Sequence, residues 1–485
     1  MLFQLTTFVF LIVSFLLFTI TPGKLRKWVL LIASFIFIYW QGKAFGLSVL
    51  LAITALSYAF GVIISHFKTK NEKRAQGVAL TCGVIIFAAI LFGWKYLALI
   101  SSLIGIEVPG KISELGLPIG LSFYTFQAIS YIADVYKGKA KAGGNPFMYA
   151  LYMMWFPKWM SGPIEREADF ALQIEKTEGT KLFDFEKAVR GLSYLLWGLF
   201  MKMVIADRIG IPVDLVFEKP TEFGFLTVML ASLLYTMQIY CDFAGYTNIM
   251  IGISSMFGIE LTQNFRTPYL RENVVDFWRG WHISLSNFLK DYVYIPLGGN
   301  RKGTARKALN TLVVFFVCGM WHGAGLTFIV WGIFHGVMNV LASIMKKSRA
   351  EFLVKGMMGR LISFVLVSFA WIFFRTPDMG VALTFIKSMI PFVGTAGIRT
   401  GLSFQDGPML GLSQIEWWIA GLSLILLTVM DALAYRKDSI PPEMAATKWG
   451  DFLRGGVFVF LALVILIFGR YGAGDEIRSF VYAQF

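Results

Sequence analysis

The sequence predicts an all-α, polytopic membrane protein, organised as one membrane domain over residues 1–485. Three observations carry this expectation. Hydrophobic side chains make up 56% of the chain and charged ones only 15%, with a mean hydropathy of +0.65, whereas a soluble domain keeps about 25% charged residues to wet its surface. The charge is missing in blocks: Met1–Gly23, Ala44–Ser65, Ala75–Trp94 and Phe223–Cys241 contain no Asp, Glu, Lys or Arg, and about 20 apolar helical residues cross a ~30 Å hydrocarbon core. Aromatics reach 16%, many near the ends of these runs, as in the belts that Trp and Tyr form at bilayer interfaces.

Met1–Gly23 has no basic residue ahead of its apolar run and no small-residue cleavage site, so it reads as a retained helix. A second helix lies before Lys43, and a fifth span lies near Leu117–Tyr136. Beyond it, spans are predicted at Phe147–Met160, Gly191–Ile205, Phe243–Ile259, Ala308–Met320, Ala324–Met345, Leu361–Phe374, Gly380–Val393, Trp417–Met430 and Gly455–Gly469. Not all of these are full crossings: the expectation is about eleven transmembrane helices plus re-entrant or interfacial helices. Several are short for a straight crossing, which points to re-entrant or tilted helices buried in protein. Glu165–Lys187 is charged and reads as an interfacial loop or helix. Leu261–Lys307 has no clean apolar run yet is rich in aromatics, so short interfacial or internal helices are expected there. A structureless loop of that length would be unusual, and long loops are often functional.

The formal net charge of +14 does not imply nucleic-acid binding, because the basic residues do not gather on a soluble face. They fall in short loops: Lys24, Arg26 and Lys27; then Lys68, Lys70, Lys73 and Arg74; then Lys137, Lys139 and Lys141. By the positive-inside rule these loops, after helices one, three and five, face the cytoplasm and the N-terminus lies outside. Cys82, Cys241 and Cys318 have no metal-ligand spacing and form no disulfide framework.

The chemistry is expected around the histidines. Ala308–Met345 is a run of 38 residues without Asp, Glu, Lys or Arg, and Met320-Trp-His322-Gly-Ala-Gly325 stands in its middle. At ~1.5 Å per residue, His322 lies about 20 Å along a helix begun at Ala308. An intramembrane imidazole is costly and therefore a functional candidate; desolvation keeps it neutral, the state a general base needs. The alternative is a histidine that only bonds a carbonyl between helices. His282 follows Trp278-Arg-Gly-Trp281 and alone reads as structural, as does His335; His66 heads a solvated basic loop. Cys318 and His322 share a helix face, a weak signal for a nucleophile pair because buried cysteine is common packing. Asp242, between two apolar runs, requires a partner. At this level a transporter is still open.

Longer motifs narrow the reading. Phe277-Trp-Arg-Gly-Trp-His282-Ile-Ser-Leu, Tyr294-Ile-Pro-Leu-Gly-Gly-Asn-Arg301 and Trp321-His322-Gly resemble the membrane-bound O-acyltransferase (MBOAT) family, in particular its bacterial branch that acylates exported polysaccharides. Leu117-Pro-Ile-Gly-Leu-Ser-Phe-Tyr124, Phe156-Pro157, Gly162-Pro-Ile164, Gln238-Ile-Tyr-Cys-Asp-Phe-Ala-Gly-Tyr246 and Phe480-Val-Tyr-Ala-Gln-Phe485 extend the likeness nearly end to end. Ala244, Asn248 and Cys318 depart from the family's usual serine, aspartate and small residue, which argues against an essential thiol. The resemblance implies the MBOAT fold, thinned at its centre around a tunnel open to the cytoplasm. It places the catalytic histidine at His322 and a supporting one at His282.

The implied donor is acetyl-CoA or a similar acyl thioester, with no resident cofactor or metal. Its phosphates are expected to meet Arg301, Lys302, Arg306 and Lys307. The implied acceptor is an exported polysaccharide, reached with an extracytoplasmic SGNH-type acyltransferase as partner, in a bacterial cytoplasmic (inner) membrane whose lipid surrounds the chain. Acylation of a lipid or protein is the alternative within the fold. A polysaccharide or lipid flippase is the alternative outside it, and it would show paired mid-membrane charges in inverted repeats.

Overall fold

The computed structural model describes residues 5–104, 116–179, 184–391, 409–443, 451–471 and 480; the first residues of the first run, the end of Gly380–Val393 and all but Phe480 of the terminal motif lie outside them. Every regular element among the described residues is helical, as a chain in lipid requires, since a helix satisfies its own backbone polar groups. Among the described residues, six helices are long and apolar enough to cross a membrane. The chain divides into two compact units, residues 1–192 with 250–262, and residues 193–249 with 263–485.

The first unit contains α1 (Leu5–Ile20), α2 (Gly23–Thr69), α3 (Lys73–Lys95), α4 (Leu97–Ile104), α5 (Leu121–Lys137), α6 (Pro146–Met154), α7 (Phe156–Trp159) and α8 (Glu167–Glu178). Its 47-residue α2 is two helices joined at Lys43, whose φ of 55° breaks the ladder, so the two separate spans expected on either side of Lys43 are both present. Phe147–Met160 is not one span. The helix stops at Trp155, and Phe156-Pro157 starts a four-residue turn. That stretch is buried from Leu151 to Trp159, which is why it looked apolar enough to cross. The buried Lys158 is held by Gln127 Oε1, which accepts a hydrogen bond from its Nζ, and by the Tyr152 ring 4.1 Å away. The charged segment after it forms α8, as its composition suggested.

The second unit begins within α9 (Phe185–Leu199), which runs through a π-helical turn (Phe200–Ala206) into α10 (Asp207–Glu218), and continues with α11 (Phe225–Met256) as far as Ile249. Here two expected spans, Phe223–Cys241 and Phe243–Ile259, are one continuous helix of 32 residues. Asp242 does not interrupt it because Lys202 Nζ lies 2.7 Å from its Oδ1 and 2.7 Å from Asp207 Oδ1. Two glycines bring the backbones close enough for that contact: a Cβ on Gly198 would stand 2.6 Å from the Gly245 carbonyl oxygen, the small-residue packing that membrane helices use.

Two short helices follow, α12 (Val274–Gly280) and α13 (Ile283–Leu289), then a π-helical turn at Lys290–Tyr294. The polar-aromatic segment thus forms the short buried helices expected of it. The unit closes with α14 (Gly303–His322), α15 (Leu326–Met345), α16 (Gly356–Arg375), α17 (Met379–Ser388), α18 (Gln414–Arg436) and α19 (Asp451–Phe468). Helices α14 and α15 meet backbone to backbone: a Cβ on Gly319 would fall 2.4 Å from the Phe328 carbonyl oxygen, and one on Gly332 2.4 Å from that of Phe315.

Candidate active site

The site is built within the second unit. His322 is the last residue of α14, and Gly323 leaves the helix in an extended conformation, with its N–H bonded to the Gly319 carbonyl. A side chain at position 323 would collide with the Phe328 ring at 2.3 Å, so glycine is required to end the helix there. The His322 imidazole is 2% exposed and boxed by aromatic rings: Trp321 at 4.8 Å, Trp331 at 5.0 Å and Phe374 at 5.2 Å, all nearly perpendicular to it.

His282 joins α12 to α13 with φ 44° and ψ 55°, a left-handed conformation that is uncommon for a residue bearing a Cβ. Hydrogen bonds on both sides of it hold this geometry. Arg266 N–H donates to the Gly280 carbonyl at 2.9 Å, Ile283 N–H to the Asn264 carbonyl at 3.1 Å, and Ser284 N–H to Asn264 Oδ1 at 3.1 Å. Strain maintained in this way is itself a pointer to function. The ring is fully buried, 4.8 Å from Phe243 and 6.0 Å from Trp321, and burial lowers its pKa to about 3, leaving it neutral at pH 7. Trp321 therefore neighbours both histidines, which lie 40 residues apart in the chain but share one aromatic cluster.

His335, which the sequence suggested was structural, belongs to the same cluster. Its Nδ1 accepts a hydrogen bond from Trp278 Nε1 at 3.2 Å, and its ring lies 5.0 Å from Trp331. The alternation of Trp331 and His335 with Trp278 across one packing layer has no local sequence signature beyond their i,i+4 spacing on α15.

A cavity of about 510 Å³ opens beside this cluster. It follows one face of α14, from Lys307 past Thr311 and Phe315 to Cys318, about 16 Å at 1.5 Å per residue. His322 is one helical turn further on. Arg279 and Lys290 join Lys307 on its wall. Of the four cations expected to meet phosphate, the structure places Lys307 on the cavity; Arg301, Lys302 and Arg306 are exposed and are not part of its lining. Arg279 lies on α12 and Lys290 in the π-helical turn, so only the fold brings them to the same cavity wall as Lys307.

A multi-span helical protein that buries histidines in an aromatic cluster behind a cation-lined cavity has the architecture of an integral-membrane enzyme. The chain belongs to the membrane-bound O-acyltransferase family, whose pattern it matches over residues 28–377, and it is an O-acyltransferase. It is similar to the probable alginate O-acetylase AlgI of Azotobacter vinelandii, with 33% identity over 81% of this chain and 78% of that protein. It is also similar to the peptidoglycan O-acetyltransferase of Helicobacter pylori, with 32% identity over 80% and 79%. The teichoic acid D-alanyltransferase of Bacillus subtilis is 26% identical over 59% of this chain and 73% of its own length.

Proposed function

We propose that this chain takes an acetyl group from a cytoplasmic thioester, acetyl-CoA, and delivers it for O-acetylation of an exported polysaccharide. The observation that supports this reading is the cavity that carries Arg279, Lys290 and Lys307 and runs along α14 toward His322. A CoA thioester is a phosphate-bearing head on a long thin arm. The cations suit the phosphates, and the face from Lys307 to Cys318 suits the arm, with the thioester reaching His322 one turn on.

In this mechanism the acceptor hydroxyl oxygen attacks the thioester carbonyl carbon as His322 takes the hydroxyl proton. The C–S bond then breaks, the thiol sulfur recovers that proton, and the acetyl ester remains. His282, buried in the same cluster, orients the reacting groups. Placing the reaction within the membrane lets the acyl group leave on the far side while CoA stays inside. An SGNH-type partner outside the membrane would complete transfer to the polymer, with the chain in the cytoplasmic membrane and its N-terminus outside. The relatives that act on alginate and peptidoglycan, as their names say, favour a polysaccharide over a lipid or protein acceptor.

The test uses membrane vesicles bearing the full chain, supplied with radiolabelled acetyl-CoA. Label in the polymer fraction is expected with the wild type and is expected to be lost with His322→Ala. Equal transfer by the variant refutes the role of His322. Substrate translocation without thioester consumption would instead support a flippase.

A further inference from the structure

Two side-chain N–H groups beside His322 have no partner among the described residues. Trp331 Nε1 and His335 Nε2 are both buried, on residues only 0% and 1% exposed, and neither makes a hydrogen bond. The imidazole nitrogen in question carries a proton: His335 Nδ1 accepts from Trp278, so in the neutral ring the proton sits on Nε2. Both are therefore donors, and a buried donor without an acceptor is an expensive feature that calls for an explanation. They stand one turn apart on α15, with ring centroids 5.0 Å from each other, and Trp331 is also 5.0 Å from His322.

Two buried donors on one helix face beside the proposed base suit a particular task, that of sharing one oxygen that gains negative charge. We infer that Trp331 and His335 form the donor pair that stabilises the oxyanion of the acyl-transfer intermediate, a catalytic role that rests on the acyl-transfer reading above. As the hydroxyl oxygen bonds to the thioester carbon and His322 removes its proton, the carbonyl π pair moves onto the carbonyl oxygen. The resulting negative oxygen takes hydrogen bonds from Trp331 Nε1–H and His335 Nε2–H. Collapse re-forms the carbonyl and expels the thiol, and both donors return to their resting state. Trp278 acts as a positioning residue, because its N–H fixes the tautomer that aims His335 Nε2–H. Trp278 and Phe315 also line the cavity; Phe315 stacks on His335 at 6.2 Å and Trp278 lies 5.8 Å from Trp331, so two residues of the cavity wall pack against the donor pair.

The experiment measures CoA release from acetyl-CoA by the full chain in native-membrane vesicles, over a range of donor concentrations. Trp331→Phe keeps an aromatic ring in the cluster and removes the N–H together with part of the indole. The expected result is a fall in kcat of about 10²–10³-fold with KM changed less than about twofold, the effect of losing one oxyanion donor. His335→Gln, which keeps an N–H, should exceed His335→Phe by about tenfold; this pair decides the matter alone if Trp331→Phe folds poorly. A kcat within threefold of wild type for Trp331→Phe, or a loss that appears only in KM, overturns the inference while an active wild type and an inactive His322→Ala leave the acyl-transfer reading standing. A wild type that consumes no thioester refutes that reading and the donor pair with it.

Discussion

Replacing Lys202 with methionine tests how the second unit tolerates charge within its helices. The ammonium lies 2.7 Å from Asp207 and 2.7 Å from Asp242, with side-chain exposures of 1%, 8% and 3%. At an effective dielectric of about 20, each contact is worth about 6 kcal/mol of Coulomb energy, most of it offset by desolvating the charges. The net worth of the cluster is therefore small, but removing the lysine leaves two carboxylates stranded, and breaking a buried pair in this way costs about 3–5 kcal/mol. Lys202→Met preserves the length and apolar stem of the side chain, so packing changes little. Asp242→Asn should cost clearly less, because Asp207 still holds the ammonium. The assay is denaturant unfolding of the full chain in detergent, followed by tryptophan fluorescence. A Lys202→Met variant within 1 kcal/mol of wild type would refute the pairing that keeps α11 continuous through Asp242.

Two further outcomes are expected. Changing Arg279, Lys290 and Lys307 together to Gln should raise KM for acetyl-CoA by tenfold or more, since hydrogen bonds to charged groups are worth about 1.5–3 kcal/mol each. KM for acetyl-pantetheine, which lacks the phosphates, should not move, and parallel loss for both donors would place the phosphates elsewhere. The second outcome concerns acid stability. His282 is neutral in the fold with its pKa lowered to about 3, against an ordinary value of about 6.5 in the unfolded chain. The unfolded state thus binds the extra proton first, and stability should fall by about 1.4 kcal/mol per pH unit between roughly pH 6.5 and 3. His282→Phe should flatten that slope in unfolding titrations, and an unchanged slope would show that His282 is not the group responsible.

Both histidines of the candidate site were legible in the sequence. His322 stood out because it interrupts a 38-residue uncharged run, and His282 because its neighbours match a family motif. His335 carried no such mark. Its place in the cluster comes from Trp278, 57 residues away, which donates to its ring. Of the basic residues expected to meet phosphate, Lys307 lines the cavity; Arg306, its neighbour on α14, points to another face of the helix, and Arg301 and Lys302 precede the helix.

The sequence alone determined that this is a helical membrane protein, because hydropathy over about 20 residues and the need to satisfy backbone hydrogen bonds are local requirements. It also determined which histidines carry the family's motifs. Tertiary structure decided where helices continue and where they break. Asp242 read as a boundary, but Lys202, 40 residues away, neutralises it and the helix runs on. Phe147–Met160 read as a span but breaks at Trp155 inside a buried segment. In both places a window average treats each residue independently. The free energy of a buried charge or a broken helix depends instead on which distant side chain stands beside it.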